Sequence, residues 1–204
     1  MLGELPLTDP KAKGQIAHVL AEPGVLGLRY IFINNPEKQL LHNGDIDWLW
    51  SAAEEFRVPI TLMATDSLSL IGDIAERHPG LKITIDHLGG RGGLTTLKDH
   101  EAMVHMSDLL ALAKHSNIAV KATGAPAYSD EPYPFTIMQS YIRQIFDVYG
   151  PDRMFWGTDI TRMPCSWKEC VTLFTEELTW LTDSDKELIM GRALCKWIGW
   201  DVRM

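Results

Sequence analysis

Five short runs, Val25 to Ile33, Val58 to Ala64, Leu81 to Leu88, Ile118 to Ala122 and Met154 to Trp156, have strand length and are apolar or β-branched on nearly every residue. A strand with apolar side chains on both faces must be covered on both faces. Between these runs lie segments whose apolar residues recur at spacings of three and four: Ile46, Leu49, Ala53 and Phe56, then Leu68, Ile71, Ile74 and Ala75. The same spacing returns in Met138, Tyr141, Ile142, Ile145, Val148 and Tyr149, in Trp167, Val171, Phe174, Leu178 and Leu181, and more weakly from Met103 to Ala113. Buried strands that alternate with amphipathic helices predict a parallel sheet in an α/β fold.

Boundary residues agree with this division. His78-Pro79-Gly80 and Tyr149-Gly150-Pro151 place helix-stopping residues just before a strand. A last helix is predicted after Thr182, with Ser184 and Glu187 at capping-box spacing. No glycine-rich phosphate loop follows the first strand, where a doubly wound nucleotide fold needs one, so a barrel is the better expectation.

Composition narrows the classes further. With 204 residues, 46% of them hydrophobic and 23% charged, the whole chain, 1–204, reads as a single domain with a sizeable core. A net charge of -8 and no cluster of Lys and Arg interleaved with aromatics argue against a nucleic-acid partner. No run approaches the roughly 18 apolar residues of a membrane span, and Met1 is followed by Leu-Gly-Glu-Leu-Pro rather than a leader, so a cytoplasmic chain without a membrane partner is expected. Cys165, Cys170 and Cys195 are odd in number and lack CxxC spacing, which favours inert thiols over a metal or redox role.

Residues able to do chemistry gather where strands end. Asp86-His87 closes one strand and runs into Leu88-Gly89-Gly90, which places the imidazole at the C-terminal rim where barrel active sites are built. Asp159 follows the strand Met154 to Thr158, where a buried carboxylate needs a partner. Its plainer roles are to cap the next helix or to pair with Arg162. Lys121 ends a third strand and Arg29 interrupts the apolar Gly27-Leu28-Arg29-Tyr30, so each needs a carboxylate: Asp86, Asp159 or a bound acidic substrate. His18, His42, His78, His100, His105 and His115 show neither HxH nor HExxH spacing, and structural or solvated roles are expected for them.

Taken together, Gly24-Val25-Leu26-Gly27-Leu28-Arg29, Ile83 to Gly89, Val120-Lys121-Ala122-Thr123-Gly124 and Arg153 to Asp159 resemble, in order and spacing, the amidohydrolase-related (amidohydrolase 2) family. Gly191-Arg192-Ala193-Leu194 with Trp197 resembles the family's closing segment, with Arg192 where the family has asparagine. The resemblance implies a (β/α)8 barrel of the TIM type. About five C-terminal strand–helix units are recognisable here, with the N-terminal strands absent.

The activities it implies are hydrolysis of lactones or amides by attack of water on a carbonyl, or metal-dependent decarboxylation of small acids. Asp159 matches the last-strand aspartate that acts as general base or metal ligand, and His87 the histidine that binds metal or substrate. Arg29 and Lys121, with Arg162 in the loop beyond, are the candidates for binding an acidic small-molecule substrate. A divalent ion, zinc or manganese, is implied at His87 and Asp159 only if the family's His-x-His is supplied, and no HxH occurs in these 204 residues. Met63 stands near where many relatives have another histidine and reads as packing. A lactonase is the preferred expectation, with a decarboxylase or a catalytically inactive binding protein as alternatives. The open edges and apolar inner face of an incomplete barrel predict homo-oligomers or a covering partner.

Overall fold

The structure, a computed structural model, describes residues 3–9 and 11–200. Strands β1 (Leu28–Ile31), β2 (Ile60–Met63), β3 (Ile83–Ile85), β4 (Ile118–Thr123) and β5 (Met154–Gly157) form one parallel sheet in chain order. Leu28 pairs with Ile60, Ile60 with Ile83, Ile83 with Ile118, and Val120 with Met154. That register aligns the apolar positions across the sheet, and because side chains alternate, a slip of one residue would expose the whole set.

One face of the sheet carries Leu28, Tyr30, Ile60, Leu62, Ile83, Ile85, Val120 and Met154, all fully or almost fully buried. They join a continuous core with the inward stripes of helices Asp47–Glu55, Leu68–Arg77, Met106–Ala111 and Thr136–Tyr149. The loops are tied to the same frame. The Asn117 side-chain amide donates to the carbonyls of Ala75, His78 and Leu81 at 3.1, 3.0 and 2.9 Å, which satisfies the end of helix Leu68–Arg77 at the entry to β4.

The opposite face carries Arg29, Thr61, Thr84, Ala119, Lys121 and Phe155. It is not left bare as an incomplete barrel predicts. Ala119 and Phe155 are buried against Ala193, with Leu188, Leu194 and Trp197 packed around them. The rings of Phe155 and Trp197 lie 5.9 Å apart, and Lys82 Nζ donates to the Trp197 carbonyl at 2.8 Å. The last helices therefore fold back over the end of the face where strands begin, because Leu188, Leu194 and Trp197 offer apolar surface that the sheet itself lacks there. Towards the other end Ile31 remains 40% exposed. Gly3 makes a parallel bridge with Leu28 on the outer side of β1, and the outer edge of β5 pairs with no strand among the described residues.

One local expectation needs correction, and three features were not foreseen. The final helix is capped by Thr182 and Asp185, not Ser184 and Glu187: Thr182 Oγ1 accepts from the Asp185 amide at 3.2 Å, and Asp185 Oδ2 accepts from the Thr182 amide at 3.0 Å. Thr182 holds the extended conformation a cap requires, and Ser184 lies already inside the turn. A second box, Ser166 with Glu169, starts helix Trp167–Thr172. Helices Ala12–Ala21 and Glu37–Asn43 escape the periodicity reading because they bury only Ala12 and Ile16, and only Leu41, too thin a stripe to register.

Candidate active site at the strand ends

The parallel register decides which rim residues meet. Ile85 pairs with Val120, so the residues after them, Asp86 and Lys121, are neighbours on the face away from the helices. Arg29 shares that face because Leu28 and Tyr30 on either side point into the core. Lys121 Nζ reaches Asp86 Oδ1 at 2.6 Å and Arg29 Nε reaches Oδ2 at 2.7 Å. Asp86 is thus the carboxylate that both cations required.

The Asp86 side chain is completely buried, whereas Arg29 and Lys121 are 33% and 26% exposed. Burial by itself raises the Asp86 pKa. The Lys121 and Arg29 charges more than offset it, and the carboxyl lies below its ordinary value. One negative and two positive charges leave the cluster with a net positive charge whose exposed part faces the rim.

His87 is buried and tightly framed. Its Nδ1 lies 2.8 Å from Thr123 Oγ1. A Cβ placed on Gly92 would lie only 3.1 Å from His87 Cγ, so glycine backbone packs closely against the imidazole there, and Gly124, whose φ of 74° favours glycine, lies on the Nδ1 side of the ring. His87, Leu88 and Gly89 are consecutive left-handed residues with φ of 49, 56 and 77°. For the first two that conformation costs about 1–3 kcal/mol each and has to be held from outside. Tyr128 supplies the hold: its fully buried hydroxyl donates to the His87 carbonyl at 2.8 Å and accepts from the Gly92 amide at 2.6 Å. Burial drives the Tyr128 pKa up, so the hydroxyl stays protonated and keeps donating.

The same burial lowers the His87 pKa. The Asp86 charge pulls it back up, Lys121 pushes it down and Asp159 pulls it up, for a net value below the ordinary one. Imidazole is therefore the neutral form at pH 7. Nε2 makes no hydrogen bond among the described residues, which leaves one ring nitrogen free to serve a ligand.

Asp159 follows β5 with a left-handed φ of 55° and is half-buried. Its two plainer roles are absent among the described residues. Its side chain caps nothing, although its residue is the N-cap of the turn Ile160–Arg162, and Arg162 forms no ion pair with it. Only the backbones meet, the Arg162 amide donating to the Asp159 carbonyl at 2.9 Å. Arg162 is exposed and lies over the glycine loop, its Cβ 2.5 Å from where a Cβ on Gly93 would be. Sequence reading missed Thr123 and Tyr128 as supports of His87. Thr123 stands two residues beyond Lys121 on the same strand and so shares its face, a signal that was present; Tyr128 comes from a distant loop and gave none.

These residues do not by themselves make a zinc centre. No group of three or more His, Cys, Asp or Glu able to hold a metal ion exists among the described residues. Both oxygens of Asp86 are occupied by cations and Nδ1 of His87 faces Thr123, leaving His87 Nε2 and Asp159 where zinc takes four ligands. Met63 is buried at 3% exposure, as packing requires.

Comparison with known proteins follows the same lines. The amidohydrolase family profile matches residues 4–193. An L-fucono-1,5-lactonase from Burkholderia ambifaria is 28% identical over 170 residues, covering 78% of this chain and 54% of the lactonase, so the chain spans about half the length of this curated relative. An amidohydrolase from Burkholderia multivorans with bound HEPES superposes with a TM-score of 0.80 at 16% identity, over 97% of this chain and 72% of that one. The same protein in another crystal form holds zinc, with a TM-score of 0.79. The 5-carboxyvanillate decarboxylase of Sphingomonas paucimobilis gives 0.68 at 16% identity, over 97% of this chain and 66% of its own. The shared architecture is the parallel α/β barrel, of which this chain forms five strand–helix units.

Proposed function

The chain belongs to the amidohydrolase family, and we propose that it serves hydrolysis of a lactone by attack of water on the ring carbonyl of a small acidic substrate. The observation that carries this reading is the charge arrangement at the strand ends. Two cations share one buried carboxylate, so these three groups carry a net positive charge, beside a neutral imidazole and an aspartate whose side chain has no partner among the described residues. A cationic rim of this kind suits a substrate carboxylate, and equally the carboxylate that ring opening creates.

In this mechanism Asp159 takes the proton from water as the oxygen bonds to the carbonyl carbon. The ring C–O bond then breaks, and the leaving alkoxide recovers a proton from Asp159. Arg29 and Lys121 hold the substrate acid through the donors that Asp86 does not use, and Arg162, on the connection after β5, reaches it from above the glycine loop. His87, fixed by Thr123 and Tyr128, orients the carbonyl through Nε2. Relatives include a lactonase and a decarboxylase, and the lactone reading is preferred because the lactonase is the relative found by sequence. A zinc or manganese ion would need ligands beyond those present here, and no step depends on one.

The test is Asp159→Asn, assayed with a panel of sugar and pyrone lactones by proton release. Loss of a general base lowers kcat by about 10²–10⁴-fold, and KM is expected to stay within about threefold because the residues that hold the substrate remain. Unchanged turnover removes Asp159 from the mechanism, and release of carbon dioxide without lactone opening assigns the site to decarboxylation.

A further inference from the structure

Two of the three thiols that spacing reads as inert lie against each other. Cys165 and Cys170 lie five residues apart, on either side of the Ser166 cap of helix Trp167–Thr172, and their Sγ atoms are 3.5 Å apart. The cap bends the chain from extended into helical conformation there and turns Cys165 back onto the helix. Cys170 is buried at 3% exposure, whereas Cys165 is partly exposed and lines a surface cavity of about 350 Å³ beside Lys98, Tyr133 and Glu169. One sulfur can be reached from solvent, and the other waits behind it.

We propose that Cys165 and Cys170 form a thiol–disulfide exchange site whose ligand is a small-molecule disulfide. The Cys165 thiolate attacks one sulfur of the disulfide, forming a mixed disulfide and expelling one small thiolate. Cys170 then loses its proton and attacks Cys165 Sγ, which forms the Cys165–Cys170 bond and expels the second small thiolate. The two protein thiols give up two electrons and two protons, and the small disulfide is reduced to two thiols. An S–S bond of about 2.05 Å requires the sulfurs to approach by about 1.5 Å.

Burial, with Cys170 beside it, pushes the Cys165 thiol up to about 12, so exchange is slow at neutral pH and accelerates by about tenfold per pH unit. Asp159, Arg162 and Cys165 lie on one connection between β5 and helix Trp167–Thr172, so closing the bond moves the segment that carries the candidate base. That consequence rests on the proposed function; the bond itself does not.

The chain is incubated with excess oxidised glutathione at pH 8.5, quenched with acid, alkylated and digested with trypsin. Cleavage after Arg162, Lys168 and Lys186 puts Cys165 in peptide 163–168 and Cys170 in peptide 169–186. The expected product is these two peptides joined, two hydrogens lighter than their sum, while Cys170→Ser stops at glutathione on Cys165. Free thiols at both positions of the unsubstituted chain, or glutathione on Cys165 that never gives way to the joined pair, would overturn the proposal. The readout is mass, so it stands apart from any failure to find a substrate.

Discussion

Replacing Asp86 by Asn tests the centre of the site. The substitution keeps the shape and removes the only negative charge between Arg29 and Lys121. Two charge-assisted hydrogen bonds, at 2.6 and 2.7 Å to a carboxylate with no exposure, are lost or weakened. Each is worth about 1.5–3 kcal/mol. The amide oxygen can still accept one weaker bond from either cation, and both cations can turn partly into solvent, so the net loss is about 2–4 kcal/mol. For a chain of this length that lowers Tm by about 5–15 °C.

The pH dependence has a definite sign. The folded carboxyl lies below its ordinary value, so its contribution is complete above the unfolded pKa of about 3.9 and is lost as pH falls through the folded one. Urea unfolding of both proteins should give a constant gap from pH 8 to pH 5 that narrows below about pH 4. A loss under about 0.5 kcal/mol at pH 7, or a gap unchanged down to pH 3, would refute the argument that the ion pairs hold these strand ends together.

Two further outcomes follow from the frame around His87. Its imidazole, lowered by burial, should titrate below about 6.5 by nitrogen-15 NMR, and lower still in Asp86→Asn, which removes the charge that pulls it up. A histidine depressed in this way contributes stability above its unfolded pKa and loses it as pH falls, and an upward shift in the variant would contradict the assignment. Tyr128→Phe leaves the buried His87 carbonyl and Gly92 amide without partners and should cost about 2–4 kcal/mol in urea unfolding. A neutral result there would mean that the left-handed turn at His87 and Leu88 needs no support.

Apolar runs of strand length, separated by stripes of helical period, determined a parallel sheet of five strands, because such strands must be covered on both faces; their order in a barrel came from the missing glycine-rich loop and the family resemblance. Strand-end position likewise determined that His87 and Asp159 would stand at the rim, and the cations Arg29 and Lys121 within apolar strands that each would need a carboxylate. Sequence could not choose among Asp86, Asp159 and a substrate acid as partner of the two cations, because that depends on the register between strands far apart in the chain. Only the tertiary structure gave Asp86 to both cations, left Asp159 without a side-chain partner among the described residues and set Tyr128 beneath His87. It also folded Trp197 over the inner face and turned Cys165 onto Cys170, contacts that arise where separate elements meet and that spacing along one segment does not encode.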